Sequence, residues 1–284
     1  MALPKHVSLI FLVGPRRSGS TLLYNVLCSD PGANAHVAEA QPLTRLLDAL
    51  AWSDANYERM TRFFFETPQA FARFGEEVCH GFLDHAWRAC GEPRSLVLKN
   101  PELSAHAKTL CSWLPEARFV VSVRDPRDQV VSEMDVLARQ VEQGVRAAGE
   151  PSVPGVVVRS YLDSLGSVLQ AAERSPERFH FVRYEDLVGD TRATVARLGA
   201  FTGLDLSAFS PTREWRRMAL PLEEIRRRPS FSELFGRPVS LRKVGVHRDR
   251  LSAADVEAIE AAAADVMGRF SYPVAQAGGR RGAG

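Results

Sequence analysis

The sequence predicts an α/β fold of three layers: a central, mostly parallel sheet flanked by helices, with a phosphate-binding loop after the first strand and a helical insertion. Three observations predict it. Short apolar runs alternate with helical stretches along the chain, the pattern of a parallel sheet covered on both faces. The first run leads straight into Gly14-Pro15-Arg16-Arg17-Ser18-Gly19-Ser20-Thr21, "GPRRSGST". A helical stretch follows, and strand, glycine turn and helix is the context in which a loop cradles phosphate.

The elements follow in order. Residues 7–13 are short, apolar, β-branched and stopped by Gly-Pro, so they read as a buried strand. Residues 20–29 carry apolar positions at helical spacing and end at Asp30-Pro31-Gly32. Three later runs repeat the strand pattern at 95–98, 119–123 and 179–182. Helices are expected at 76–90, 102–112, 127–146 and 157–173. The segment 49–90 is helical and rich in aromatics, among them Trp52, Tyr57, Phe63, Phe64 and Phe65. It reads as the insertion, a place for substrate selection, although each aromatic taken singly reads first as core. No linker, composition break or repeat divides residues 1–274, which read as one domain. The last ten residues, AQAGGRRGAG, read as a disordered tail.

Composition narrows the function. A formal net charge of +2 over 284 residues gives no reason to expect a nucleic-acid or membrane binder. Four scattered cysteines without a C-x-x-C, and seven histidines without ligand spacing, argue against a disulfide framework and a metal site. No apolar run is long enough to span a bilayer. These features predict a soluble, intracellular chain, with the cytoplasm as its expected location.

In an open α/β sheet, ligands bind beyond the carboxyl ends of the strands. The predicted strand ends carry "GPRRSGST", then Lys99-Asn100-Pro101, then Arg124-Asp125-Pro126-Arg127-Asp128, then Arg183-Tyr184-Glu185-Asp186. All four are expected to converge on one anion site. The first loop offers backbone N–H groups at a helix N-terminus, the Arg17 guanidinium, and the hydroxyls of Ser18, Ser20 and Thr21. It departs from a Walker A loop in one respect: Ser20 stands where the lysine for the β- and γ-phosphates belongs. Arg124 and Ser132 are eight apart. If a helix starts near Pro126, Ser132 falls in its second turn, and the pair can reach a second phosphate. Two separated anion sites suggest a nucleotide charged at both ends.

These residues resemble the 3′-phosphoadenylyl-sulfate (PAPS) sulfotransferases, with a likeness nearer to the tyrosylprotein and carbohydrate branch. Arg17 to Thr21, R-S-G-S-T with Gly19 at its centre, resembles that family's 5′-phosphosulfate loop. R-D-P-R-D with Ser132 resembles its 3′-phosphate motif. Arg183 to Leu187, R-Y-E-D-L, resembles the segment closing the adenine side, with Tyr184 as a contact. Residues 230–251, "SFSELFGRPVSLRKVGVHRDRL", resemble the late cofactor loop, where Ser232 and Arg248 are the candidate contacts; Gly245-Val246-His247-Arg248 stands where the family often has G-R-W-R.

The resemblance implies in-line transfer of a sulfuryl group from PAPS to a hydroxyl acceptor, leaving 3′-phosphoadenosine 5′-phosphate (PAP), with no metal required. It implies Glu39 as the base that takes the acceptor's proton, desolvated at its place after the first helix, with His36 in reserve. It implies Lys99 at the bridging oxygen or sulfuryl group, and Arg17 as a further charge there. The acceptor, a tyrosine, a sugar or a natural-product alcohol, stays open. An arginine group of Arg213, Arg216, Arg217 and 226–228 reads as a solvated face, or as an attractor of acidic acceptors. Two rivals remain: a P-loop kinase using Asp125 for Mg²⁺, and a module that binds nucleotide without turnover.

Overall fold

The structure, a computed structural model, describes residues 3–145, 154–213, 215, 217–219 and 234–274. Four strands form its sheet: β1 (Ser8–Val13), β2 (Ser95–Lys99), β3 (Arg118–Val123) and β4 (Phe179–Arg183). Their order is β2-β1-β3-β4, and every pairing is parallel. The register sets Leu12 beside Lys99 and Val123 beside Arg183, so all four strands end on one edge.

The helices follow the strands. α1 (Ser20–Leu27) leaves the loop of β1, and α2 (Gln41–Ala55) and α3 (Pro68–Ala89) form the insertion before β2. α4 (Ala107–Trp113) lies between β2 and β3, α5 (Pro126–Glu142) and α6 (Pro154–Arg174) between β3 and β4. α7 (Tyr184–Gly189), α8 (Thr191–Thr202), α9 (His247–Arg250), α10 (Ala253–Ala262) and α11 (Ala264–Arg269) complete the described helices.

Alternation along β1 divides the core into two layers. Leu9, Phe11 and Val13 point to one face and pack with α2, α3, α4 and α6 through Leu43, Leu83, Leu110 and Leu165. Ile10 and Leu12 point to the other and pack with α1 and α8 through Leu23, Leu27 and Leu198. All of these side chains except Leu9 are at most 1% exposed. Burial of each contributes about 1.5–3 kcal/mol, so β1 is fixed from both sides and its end is a rigid platform.

Two boundaries differ from expectation for local reasons. α3 starts at Pro68 rather than 76, because Thr67 caps it, accepting from the Ala70 N–H at 3.1 Å, and Pro68 supplies a fixed φ. The helix expected over 102–112 opens as a 3₁₀ turn, Pro101–His106, where the Asn100 side chain accepts from the Glu102 N–H. The insertion's aromatics are also not all core: Trp52, Phe63 and Phe64 are 55%, 72% and 84% exposed. They sit around the turn joining α2 to α3, beyond the reach of the sheet's apolar face. The expected tail at 275–284 lies outside the described residues.

The loop of β1 needs a glycine for space where it leaves the strand. Gly14 has φ +117°, and a Cβ there would sit 2.4 Å from the Ser122 carbonyl oxygen on β3. Gly91 also has positive φ (+82°) but nothing within 4 Å. Gly91→Ala is expected to cost about 1 kcal/mol from backbone alone. Gly14→Ala should cost at least about 2 kcal/mol more in denaturant titration; equal losses would overturn the close-approach argument.

Candidate active site

At the carboxyl edge of the sheet lies a cavity of about 490 Å³. Its wall brings together Arg17, Gly19, Ser20, Thr21, Glu39, Lys99, Arg124, Ser132 and Tyr184, residues from all four strand ends, from α1 and α5, and from the segment before α2.

The β1 loop turns tightly. Arg17 adopts φ +63° and Gly19 φ +86°. A Cβ on Gly19 would lie 2.4 Å from the Tyr184 ring, so only glycine lets that ring close on the loop. Ser18 does not offer its hydroxyl to the cavity as expected. It is buried, 2.5 Å from the Pro15 carbonyl and 2.5 Å from the Ser122 hydroxyl, and ties the loop to β3. The Gly14 N–H donates to Ser104 Oγ at 2.9 Å, a second tie. Arg17 Nε donates to Ser132 Oγ at 3.4 Å. Burial lowers the Arg17 guanidinium to about 10; Glu133 opposes that and Arg124 adds to it.

Arg124 follows β3 and Ser132 lies in the second turn of α5, as the spacing predicts. Arg124 is 4% exposed. One of its terminal nitrogens donates to the Arg17 carbonyl at 3.2 Å and the other to the Lys243 carbonyl. The guanidinium carbon lies 4.8 Å from the Tyr184 ring centre, a cation–π contact. Its Nε is buried with no hydrogen-bond partner. Asp125 caps α5, accepting from the Arg127 N–H at 2.9 Å. Asp128 serves a different end. It accepts from the backbone N–H groups of Gly245 (2.6 Å) and His247 (3.0 Å), and lies 2.6 Å from His247 Nδ1. This carboxylate pins the late segment against α5 and so holds the Lys243 carbonyl that Arg124 uses.

Lys99 ends β2 at 4% side-chain exposure. Its ammonium donates to Glu39 Oε1 at 2.5 Å and to Thr21 Oγ1 at 3.2 Å. Burial lowers its pKa, an effect opposed by Glu39 and reinforced by Arg17. Glu39 itself is not desolvated as expected: its side chain is 44% exposed, because the segment before α2 runs over the cavity rim rather than beneath it. His36, the reserve base, is buried behind the cavity and off its wall. Its ring stacks near Tyr24 (4.4 Å) and Trp215 (5.6 Å). Burial holds it down to about 3, with Lys99 adding to the fall, so it is neutral and out of reach of a reacting hydroxyl.

Other expectations part ways here. Arg183 does not join the cavity; it pairs with Asp186 at 3.2 Å and lies over the Tyr272 ring. Arg248 is exposed and off the cavity wall, because α9 turns it to solvent. Ser232 and 226–228 lie outside the described residues. Arg217 is no lure for acidic acceptors: it donates to the carbonyls of Cys28, Asp30 and Ala33, clamping the chain after α1. Lining residues that were not singled out from the sequence include Gln41, Arg237 and Lys243. The last two stand inside the late loop, between Ser232 and Arg248. No group of three or more His, Cys, Asp or Glu among the described residues is placed to hold a metal, and no described helix is long and apolar enough to cross a membrane.

Comparison with known proteins fits this geometry. The model of the sulfotransferase family matches residues 9–208. The omega-hydroxy-beta-dihydromenaquinone-9 sulfotransferase Stf3 of Mycobacterium bovis is 32% identical over 123 residues, 42% of this chain and 31% of that protein. The match to the Mycobacterium tuberculosis protein of the same name has the same extent, so the aligned stretch spans well under half of these curated relatives. The sulfotransferase domain of the Synechococcus PCC 7002 olefin synthase superposes with a TM-score of 0.58 at 18% identity, covering 96% of this chain and 98% of that one. Sulfotransferase STF9 of Mycobacterium avium gives 0.55 at 17% identity, covering 95% and 79%. Mouse sulfotransferase SULT7A1 complexed with PAP gives 0.51 at 14%, covering 96% and 91%. At these identities the structural likeness speaks for the fold.

The buried His36 has a pH signature. Its folded pKa lies below the unfolded value of 6.5, so the unfolded chain binds the extra proton as pH falls from 6.5 toward 3. Stability is therefore lost across that window, by at most about 1.4 kcal/mol per pH unit from this group. His36→Phe keeps a ring in the aromatic cluster without the titration. Between pH 7 and 5 the variant should gain roughly 2 kcal/mol relative to wild type in denaturant midpoints; an unchanged difference would sink the assignment.

Proposed function

The chain belongs to the sulfotransferase family, and from that premise we propose that it moves the sulfuryl group of PAPS to an acceptor hydroxyl by in-line transfer. Tyrosines, sugars and natural-product alcohols are the acceptor classes in view. Arg124 carries the reading. Its buried guanidinium, Nε without a partner, stands with Ser132 on the cavity that also holds the β1 loop. A buried cation with an open donor is costly unless an anion meets it. PAPS supplies an anion at each end and a sulfuryl group on a phosphate leaving group.

Each residue then has a role. Arg124 and Ser132 hold the 3′-phosphate. The N–H groups of the β1 loop, Arg17, Ser20 and Thr21 hold the 5′ end, and Tyr184 walls the nucleoside side. Lys99 neutralises the charge that grows on the phosphate oxygen as its bond to sulfur breaks. Glu39 takes the proton from the acceptor oxygen as the new O–S bond forms. Lys99, which donates to Glu39 at 2.5 Å, turns from it toward the leaving oxygen, and that single move frees the carboxylate oxygen for the acceptor's proton. The Stf3 relatives act on a hydroxylated menaquinone derivative by name, which places a lipid alcohol among the acceptors to try here. A kinase reading loses support at Asp125, whose two oxygens are taken by Arg127 at 3.0 and 2.7 Å.

Calorimetry tests the donor site. Wild type should bind PAP in preference to ATP with Mg²⁺, and Arg124→Ala should weaken PAP by at least about 30-fold, the scale of an unpaired buried charge. Preference for ATP, or no loss in the variant, would overturn the reading.

Kinetics test the reacting groups. Glu39→Gln should cut kcat by about 10²–10⁴-fold while PAP binding persists. Because burial lowers Lys99 from 10.5, its charge is lost, and the rate with it, on an alkaline limb that begins below that value. Lys99→Arg, which stays charged, should remove the limb from the kcat–pH profile; a limb unmoved by the substitution would count against Lys99.

A further inference from the structure

Glu39 stands on a stretch, 37–40, that belongs to no helix or strand. α2 begins just beyond it, and its first turn has no side-chain cap: Ala40 at the N-cap offers none, and Pro42 lacks an N–H. Such a turn is left with unsatisfied N–H groups and a tendency to fray. The Glu39 carboxylate nevertheless sits 2.5 Å from the Lys99 ammonium. The chain at the end of β2 supplies what the helix lacks. The Lys99 carbonyl accepts from the Ala40 N–H at 2.9 Å. The next residue, Asn100, is 1% exposed. Its amide nitrogen donates to Gln41 Oε1 at 3.1 Å and to Thr44 Oγ1 at 2.9 Å. Thr44 Oγ1 in turn donates to the Ala40 carbonyl at 3.3 Å.

Three of these residues close a ring. The Glu102 N–H donates to Asn100 Oδ1 at 3.0 Å, Asn100 Nδ2 donates to Gln41 Oε1, and Gln41 Nε2 donates to Glu102 Oε2 at 2.9 Å. Every direction in it is fixed. A backbone N–H only donates and an ionised carboxylate only accepts, so neither amide can be reversed. Asn100 thus commits both amide hydrogens to α2 and its oxygen to the turn after Lys99. Only an amide serves there: an aspartate would set an oxygen against Gln41 Oε1, and a leucine would bond to neither side.

We infer that Asn100 is a positioning residue for the sulfuryl transfer: by joining the end of β2 to the first turn of α2, it keeps the Glu39 carboxylate in register with Lys99 and so with the acceptor oxygen. It acts through the backbone it fixes. The inference rests on the proposed function, in which Glu39 and Lys99 work as a pair.

Lysine NMR tests it without an acceptor. The chain has four lysines, so in ¹³C-lysine-labelled protein the Lys99 signal is identified by its loss in Lys99→Arg. Burial lowers the Lys99 pKa, Glu39 opposes the fall, and Arg17 and Arg16 add to it. Letting Glu39 drift should therefore lower the Lys99 midpoint further. Asn100→Ala should lower it by at least about half a pH unit, in the same direction as Glu39→Gln. In the Glu39→Gln background Asn100→Ala should lower it no further. General loosening of the fold would do the reverse, admitting water and raising the midpoint toward 10.5. Gln41→Met opens the same ring at a half-buried position and should shift the midpoint the same way; it replaces Asn100→Ala if that variant does not fold. With labelled PAPS and whichever acceptor class turns over, Asn100→Ala should cut kcat by about 10–100-fold, and again not in the Glu39→Gln background. A midpoint that is unchanged or raised, or a fall of equal size with and without Glu39, would overturn the inference. PAP that does not bind, or kcat left intact by Glu39→Gln, strikes the proposed function first, and this inference falls with it. An unmoved Lys99 midpoint beside the expected PAP binding and Glu39→Gln loss strikes this inference alone.

Discussion

Arg17, Lys99 and Arg124 set three positive charges against one cavity, two of them at 4% exposure, and the surrounding structure is organised to tolerate them. Desolvating an ion costs several kcal/mol even after relaxation, and like charges side by side add to that. Each cation is therefore met by a different device. Lys99 has a carboxylate and a hydroxyl, Glu39 and Thr21. Arg124 has two backbone carbonyls and the face of Tyr184. Arg17 has the Ser132 hydroxyl and the field of Glu133. Only Arg124, of the three, has a buried nitrogen recorded without a partner, its Nε.

That arrangement needs a rigid frame, because a shift of an ångström would unpair a buried charge. The frame is β1, buried on both faces, with its loop fastened to β3 by Ser18 and to the Pro101–His106 turn through Ser104. Gly14 and Gly19 allow β3 and Tyr184 to approach the loop where any side chain would collide. Asp128 completes the frame from behind. It touches no ligand-facing surface, yet by holding Gly245 and His247 it keeps the Lys243 carbonyl on Arg124.

A second cavity adjoins the first, with Asp48, Glu102, Glu133 and Asp163 on its wall against Arg16 and Arg45. The cation-rich cavity and this one are separated at Pro101 and Glu102. Arg16 bridges them by pairing with both Glu102 and Glu133.

Most of the fold was legible because its causes are local. Strand alternation, the glycine turn, and the helix arithmetic that puts Ser132 in the second turn after Arg124 all act within about ten residues, so the sheet, its loop and the meeting of Arg124 and Ser132 on one cavity follow from the sequence by itself. The misplaced start of α3 was also a local matter, a Thr-Pro cap passed over. What only the tertiary structure decided is how distant segments divide the polar groups among themselves. Ser18 turns inward because Ser122, more than a hundred residues away, meets it. His36 is neutral because Trp215 and Tyr24 enclose it, and Glu39 is exposed because its segment runs over the rim. Asp128 serves the late segment, and Arg248 faces solvent. A sequence states which groups can bond; which of them do depends on burial and on partners far along the chain, and those exist only once the layers have packed.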